Sequence, residues 1–284
     1  MSITLGDVVA ALEQLYPSSG AQSWDQVGLV TGDLAQPVRR VHAAIDPTLA
    51  VIAEARELGA DLLLTHHPLL LRGIHSVATT TAKGESVTSL VVGDVALYVA
   101  HTNADVADPG VNTALAQACG LTRWGPLSVE EGQHLGLVGD LDDAMDLATF
   151  AGDLAGRLPA AAGGVRVAGP PDAAVRRVAL LGGSGDGLFD AVRASGADVY
   201  VTADLRHHPA LEAREEARGG TPYLVDAGHW ATESLWLERA TRDLLRVLQE
   251  HGHDTTTVET HVSTLRTDPW TFTIGATGPE GAPQ

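Results

Sequence analysis

Short apolar runs alternate with amphipathic stretches almost from end to end of the chain, and few architectures accept that pattern. Residues 5–16 read as a helix opened by Thr4, with Val8, Val9, Leu12, Leu15 and Tyr16 along one side. A strand near 38–45, a helix near 47–58 and the short strand 61–65 follow. A helix near 82–92 then leads to the strand 95–100. The next helix is predicted to open at Asp108-Pro109, an N-cap followed by proline at the first helical position, and to stop at Gly120. Beyond it the pattern gives strands near 134–138, 175–181, 198–202, 222–226 and 257–264. Helices fall near 143–157, 186–194, 207–217 and 229–250. The Ala-, Gly- and Pro-rich stretch 158–171 reads as a loop or edge hairpin. No internal repeat of 20–50 residues is visible. The expectation is an α/β protein with an N-terminal lobe over 1–125 and a C-terminal lobe over 126–275. The break falls in 121–133, and 276–284 form a disordered tail.

The chemistry collects where predicted strands end. Strand 61–65 runs into His66-His67-Pro68, and strand 95–100 into His101 and Asp105. Strand 198–202 runs into Asp204 and His207-His208, and strand 222–226 into His229 and Glu233. Ligands of open α/β sheets bind outside the carboxyl ends of the strands, so these groups can converge. His229 and Glu233 stand four residues apart and share one helix face. His101 and Asp105 have the same spacing in a segment that reads as loop. Any one of these groups has an ordinary explanation: a His-His pair as a surface or capping feature, His-x-x-x-Glu as a solvated face pair. Four together point to a metal site. Imidazoles and carboxylates without thiolate suit zinc, manganese or iron.

The single cysteine, Cys119, excludes an internal disulfide and fits a reducing cytoplasm, as does a start without a secretory signal. A formal charge of −18, with Lys83 the one lysine, makes nucleic acid an improbable partner. No apolar run is long enough for a membrane helix. Gly182-Gly183-Ser184-Gly185-Asp186-Gly187 follows a strand and opens a helix. It reads either as a tight turn or as an amide cradle for phosphate, and matches neither dinucleotide nor P-loop patterns. Trp24, Trp230, Trp236 and Trp270 read as core residues or as platforms for a base.

The residues also resemble a known family. Ser23-Trp24-Asp25-Gln26-Val27-Gly28-Leu29, Thr65-His66-His67-Pro68-Leu69 and His101-Thr102-Asn103-Ala104-Asp105 carry the likeness. So do Ala197 to Asp204 with His208, Asp226-Ala227-Gly228-His229 with Glu233, and Thr267-Asp268-Pro269-Trp270. In this order they resemble the dinuclear-metal-centre family of GTP cyclohydrolase I type 2 homologues, also called Nif-three-like proteins. The resemblance covers about residues 1–275 and looks like the short form, without an inserted domain between Asp105 and His229. It implies two similar α/β lobes with mixed sheets, a site between them at the strand ends, and a homohexamer. The ligand set it implies is His66, His67, Asp105, His229 and Glu233, holding two divalent ions per chain. His101 and His208 are the implied pocket histidines and the expected proton donors, with His101 also a possible ligand. Ala203 stands where the family has glycine, which puts a close ligand contact there in question. The activity implied is metal-dependent hydrolysis of a small nucleotide- or phosphate-bearing substrate. The rivals are a hexameric metal-binding scaffold and a nucleotide-binding module built on 182–187.

Overall fold

A computed structural model describes residues 2–275; the expected disordered tail, 276–284, lies outside them. The chain runs α1 (Leu5–Leu15), β1 (Gly28–Thr31), β2 (Arg40–Ala44), α2 (Leu49–Glu57), β3 (Leu62–Thr65), α3 (Ala82–Val92), β4 (Ala96–Val99), α4 (Thr102–Asp105) and α5 (Val111–Ala118). It continues β5 (Trp124–Glu130), β6 (Gln133–Asp146), α6 (Leu147–Arg157), β7 (Arg166–Ala168), β8 (Ala174–Ser184), α7 (Phe189–Ser195), β9 (Val199–Ala203) and α8 (His207–Ala217). β10 (Tyr223–Asp226), α9 (His229–Ser234), α10 (Leu237–Glu250) and β11 (Glu259–Val262) complete it. No helix among the described residues is long and apolar enough to cross a membrane.

Two mixed sheets result. The first has the order β1-β4-β3-β2-β11 and the second β5-β6-β8-β9-β10-β7. In the first, β11, β2, β3 and β4 are parallel and β1 is antiparallel at the edge. In the second, β8, β9 and β10 are parallel and the rest antiparallel. The central strands are buried throughout, as parallel strands covered on both faces must be. On the first sheet, α1 and α10 supply one apolar layer (Leu5, Leu12, Leu244, Leu248) and α2 and α3 the other (Ile52, Leu90). The second sheet is covered by Leu115 and Phe150 on one face and by Phe189 and Val192 on the other.

The lobes repeat one device. Asp61 accepts hydrogen bonds from the amides of Arg39 and Arg40 at 2.7 and 2.9 Å, and Asp198 from those of Arg176 and Arg177 at 2.9 and 2.8 Å. Arg40 then donates to the carbonyl of Leu58 and Arg177 to that of Ser195, each near the end of the intervening helix. Val-Arg-Arg-Val at 38–41 and 175–178, and Gly-Ala-Asp at 59–61 and 196–198, therefore recur at one separation. Two short matches so far apart in the chain escape a search for tandem repeats.

Several elements depart from expectation. The expected break at 121–133 contains β5, an edge strand that buries only Leu127 and so lacks a clear alternation. β6 runs on to Asp146, which caps α6, so that helix opens at 147 rather than 143. α5 opens at Val111 behind Gly110 rather than at Pro109, and a Cβ at Gly110 would strike the Ala104 carbonyl at 2.2 Å. The helix expected over 229–250 is two, parted where the Trp236 amide bonds the Glu233 carbonyl three residues back. α10 and β11 return to the first sheet, so no single cut at 125/126 separates the two sheets.

Candidate metal centre

The parallel strands of the two sheets end toward one another, and the side chains just beyond those ends meet. His66 and His67 follow β3; His101 follows β4, and the single turn of α4 brings Asp105 back to its side. From the second sheet, Gly228 at a φ of +81° turns the chain from β10 into α9, which presents His229 and Glu233 on one face. His67 Nε2 lies 3.2 Å from His229 Nε2 and 3.0 Å from Glu233 Oε2, so the sheets touch through ligand-type atoms. Glu233 Oε1 is 3.1 Å from His229 Nε2 and 3.5 Å from His66 Nε2, which is itself 3.7 Å from Asp105 Oδ1. Two overlapping groups could each hold a metal ion, His66-His67-His101 and His67-His229-Glu233, with His67 common to both.

The far side of each ring is tied down. His66 Nδ1 bonds the Ala100 carbonyl at 2.9 Å, His67 Nδ1 Asp46 at 2.7 Å, His101 Nδ1 Asp25 at 2.9 Å, and His229 Nδ1 Asp204 at 2.8 Å. A backbone carbonyl or carboxylate on the outer nitrogen orients the ring and makes the inner one more basic, as for metal-ligating histidines generally. Trp236, fully buried, packs against the His66 ring and donates its indole N–H to Tyr16 Oη at 3.0 Å. Its role is thus the core one.

The inner atoms are less well satisfied. His66 Nε2 and Asp105 Oδ1 are buried without a hydrogen bond and lie 3.7 Å apart, and Glu233 Oε2 is buried with the His67 Nε2 ion pair at 3.0 Å as its contact. Burying polar atoms without a hydrogen bond costs about 1–3 kcal/mol each, so two such atoms side by side favour a ligand. A divalent cation fits this donor set: hard carboxylate oxygens and oriented imidazoles, no thiolate. The electrostatics agree. Burial lowers the affinity of His67 and His229 for a proton, but Glu233 with Asp46 or Asp204 outweighs it, raising their pKa values to about 10 and about 11. Burial likewise opposes ionisation of Glu233, yet His66, His67 and His229 hold its pKa well below the usual range. Burial and the nearby Glu233 charge push Asp105 well above its ordinary value.

The five expected ligands, His66, His67, Asp105, His229 and Glu233, are therefore brought together, and His101 joins them. His208 is not: it is exposed in the first turn of α8 against His207 and does not line the cleft. Gly182 and Gly183, expected in a turn, are the last-but-two and last-but-one residues of β8, where Gly182 N donates to Asn112 Oδ1 and Gly183 N to Thr232 Oγ1. Gly183 also gives clearance. A Cβ on Gly183, at a φ of +69°, would stand 2.3 Å from Glu233 Oε1. Ala203 is an ordinary buried strand residue, and the left-handed conformation falls on Asp204 at +52°. Of the orienting carboxylates, Asp204 stands among the strand-end groups named from the sequence, whereas Asp25 and Asp46 do not. For Asp46 the available signal is position, since it too follows a strand end.

Fold and site together define a two-sheet α/β protein with a buried histidine/carboxylate cluster that could hold metal. Residues 3–269 match the family described as Duf34/NIF3 (NGG1p interacting factor 3), and the chain belongs to it. A Streptomyces coelicolor protein named GTP cyclohydrolase 1 type 2 homolog is 50% identical over 277 residues, covering 96% of this chain and 95% of that one. A Mycobacterium bovis protein of the same name is 34% identical, covering 95% and 97%. That alignment extends over 379 positions, so the relative carries a long insertion that this chain lacks. Among solved structures, a Bacillus cereus protein related to NIF3 superposes with a TM-score of 0.85 at 25% identity, covering 96% of this chain and 100% of its own. A Staphylococcus aureus protein, SA1388, gives 0.85 at 28% identity, covering 96% and 100%.

Proposed function

We propose that the chain is a metal-dependent hydrolase acting on a small nucleotide- or phosphate-bearing compound, with two divalent ions held by His66, His67, Asp105, His229 and Glu233. The observation that carries the reading is the pair of buried atoms without hydrogen bonds, His66 Nε2 and Asp105 Oδ1, beside Glu233, with Asp105 and Glu233 lining a cleft of about 570 Å³. That volume lies within the roughly 300–1,000 Å³ of small-molecule sites. Divalent ions there would supply Lewis acidity toward an oxygen of water or substrate. The chain's own residues do the rest. Asp46 and Asp204 hold His67 and His229 with Nε2 inward. Asp25 is kept ionised, its pKa at about 2: burial opposes this, but bonds from His101 and Thr102 prevail. It fixes His101 so that Nε2 faces the cluster as a sixth donor. The name shared by the relatives, GTP cyclohydrolase 1 type 2 homolog, agrees with hydrolysis at a nucleotide.

A screen of zinc-, manganese- and iron-loaded protein against nucleotides and phosphoesters, beside Glu233→Gln, tests the reading. Turnover by the loaded native protein and loss of at least a hundredfold in Glu233→Gln are expected. Equal turnover by metal-free protein would overturn it, and inertness across the screen would favour a metal-binding scaffold.

A further inference from the structure

Trp24 is the largest side chain on the cleft wall and is 54% exposed. Exposed apolar residues are common on surfaces and usually carry no meaning. This one, however, is held by two contacts. Its indole N–H donates to Gln22 Oε1 at 2.7 Å, and its ring meets the His101 ring edge-on at 5.9 Å. The loop beneath is clamped from both lobes. Gln22 N donates to Thr102 Oγ1 at 3.0 Å, while Ser23 donates through N and Oγ to Glu131, at the tip of the β5–β6 hairpin, at 2.8 and 2.7 Å. The next residue, Asp25, orients His101. An aromatic face is thus pre-positioned beside the cluster with its ordering entropy already spent, which is how a stacking platform is made.

The remaining lining narrows the ligand. Pro68, Leu71, Leu135, Leu181 and Leu188 make the walls apolar, and no lysine or arginine is among the described residues that line the cleft; the amides of Ser184, Gly185 and Gly187 are the uncharged groups left there for a phosphate. Phosphate groups are ordinarily gripped by basic side chains or helix-terminal amides. Flat heteroaromatic rings are gripped between aromatic and aliphatic surfaces.

We infer that the cleft selects its substrate by a planar heteroaromatic ring stacked on Trp24, and that any phosphate contributes little to recognition by the protein itself. The inference rests on the proposed hydrolytic reading only for the location of the substrate, and binding tests it without turnover. Guanosine 5′-monophosphate, guanosine and ribose 5-phosphate are titrated calorimetrically into native protein, Trp24→Ala and Trp24→Phe, each with its metal content measured. Both ring-bearing probes should bind native protein at least tenfold more tightly than ribose 5-phosphate. Trp24→Ala should weaken them at least tenfold, about 1.4 kcal/mol, with metal content unchanged. Trp24→Phe should restore most of the loss, which a merely structural defect would not allow. Ribose 5-phosphate binding as well as the nucleotide, undiminished binding by Trp24→Ala, or no binding of either ring-bearing probe at millimolar concentration would each overturn the inference. An inert protein that binds the rings through Trp24 would instead count against the hydrolase reading alone.

Discussion

At the scale of single residues, the centre depends as much on what orients the ligands as on the ligands. Replacing Asp46 or Asp204 by Asn should weaken metal binding about 10–100-fold, the usual cost of losing an orienting partner, while leaving the fold intact. Competition with a chelator measures this; unchanged affinity in both variants would show that the rings are held by other means. Gly183→Ala should lower affinity comparably, since the methyl must displace the Glu233 carboxylate, and the left-handed backbone adds about 1–2 kcal/mol of destabilisation. His208→Ala should alter neither metal content nor stability, given its exposed position. Protons report on the same atoms. Glu233 with Asp46 or Asp204 raises the pKa values of His67 and His229 to about 10 and about 11, so metal loading at pH 8 should release protons, and affinity should rise with pH through the neutral range. Calorimetry in two buffers of different ionisation enthalpy reads that release, and its absence would contradict the charge arrangement described. The candidate groups were legible because His-His, His-x-x-x-Asp and His-x-x-x-Glu each stand just past a predicted strand, while the five-residue ligand set came from the family resemblance. The orienting pairings were not, because aspartate is common and the pairs His67–Asp46, His229–Asp204 and His101–Asp25 are 21, 25 and 76 positions apart.

Among the elements, the central ones announced themselves and the peripheral ones did not. β3, β4, β9 and β10 are continuous apolar runs, and α1 carries a capping box between Thr4 and Asp7 that marks its start. β1 and β5 are paired at sheet edges, where half the surface meets water and the alternation that betrays a strand fades. The break between α9 and α10 was hidden for another reason: local sequence is helical throughout 229–250, and only tertiary packing requires the bend. Trp236 sits at that bend, buried between Tyr16 and His66. Trp236→Ala should therefore cost about 3–5 kcal/mol of stability and loosen His66 together with the helix junction. Denaturant unfolding and metal titration on one sample would check it, and loss of stability with unchanged metal affinity would separate the two roles.

For the molecule as a whole, the family resemblance leads us to expect a ring-shaped hexamer. A charge of −18 per chain requires its contacts to be apolar or well paired. Trp270, Phe272 and Ile274 are largely exposed apolar side chains. Truncation after Ile274 should leave assembly unchanged by light scattering, whereas a monomer at micromolar concentration would refute the ring. The return of α10 and β11 to the first sheet has a consequence for synthesis. The first lobe contains most of its strands early in the chain, but the strand beside β2 and the helix over α1 come last. While the ribosome is still making the second lobe, the apolar faces of α1 and β2 remain uncovered. The half of the protein that emerges first is thus the half that must wait, and the histidines it contributes can meet His229 and Glu233 only when translation is nearly done.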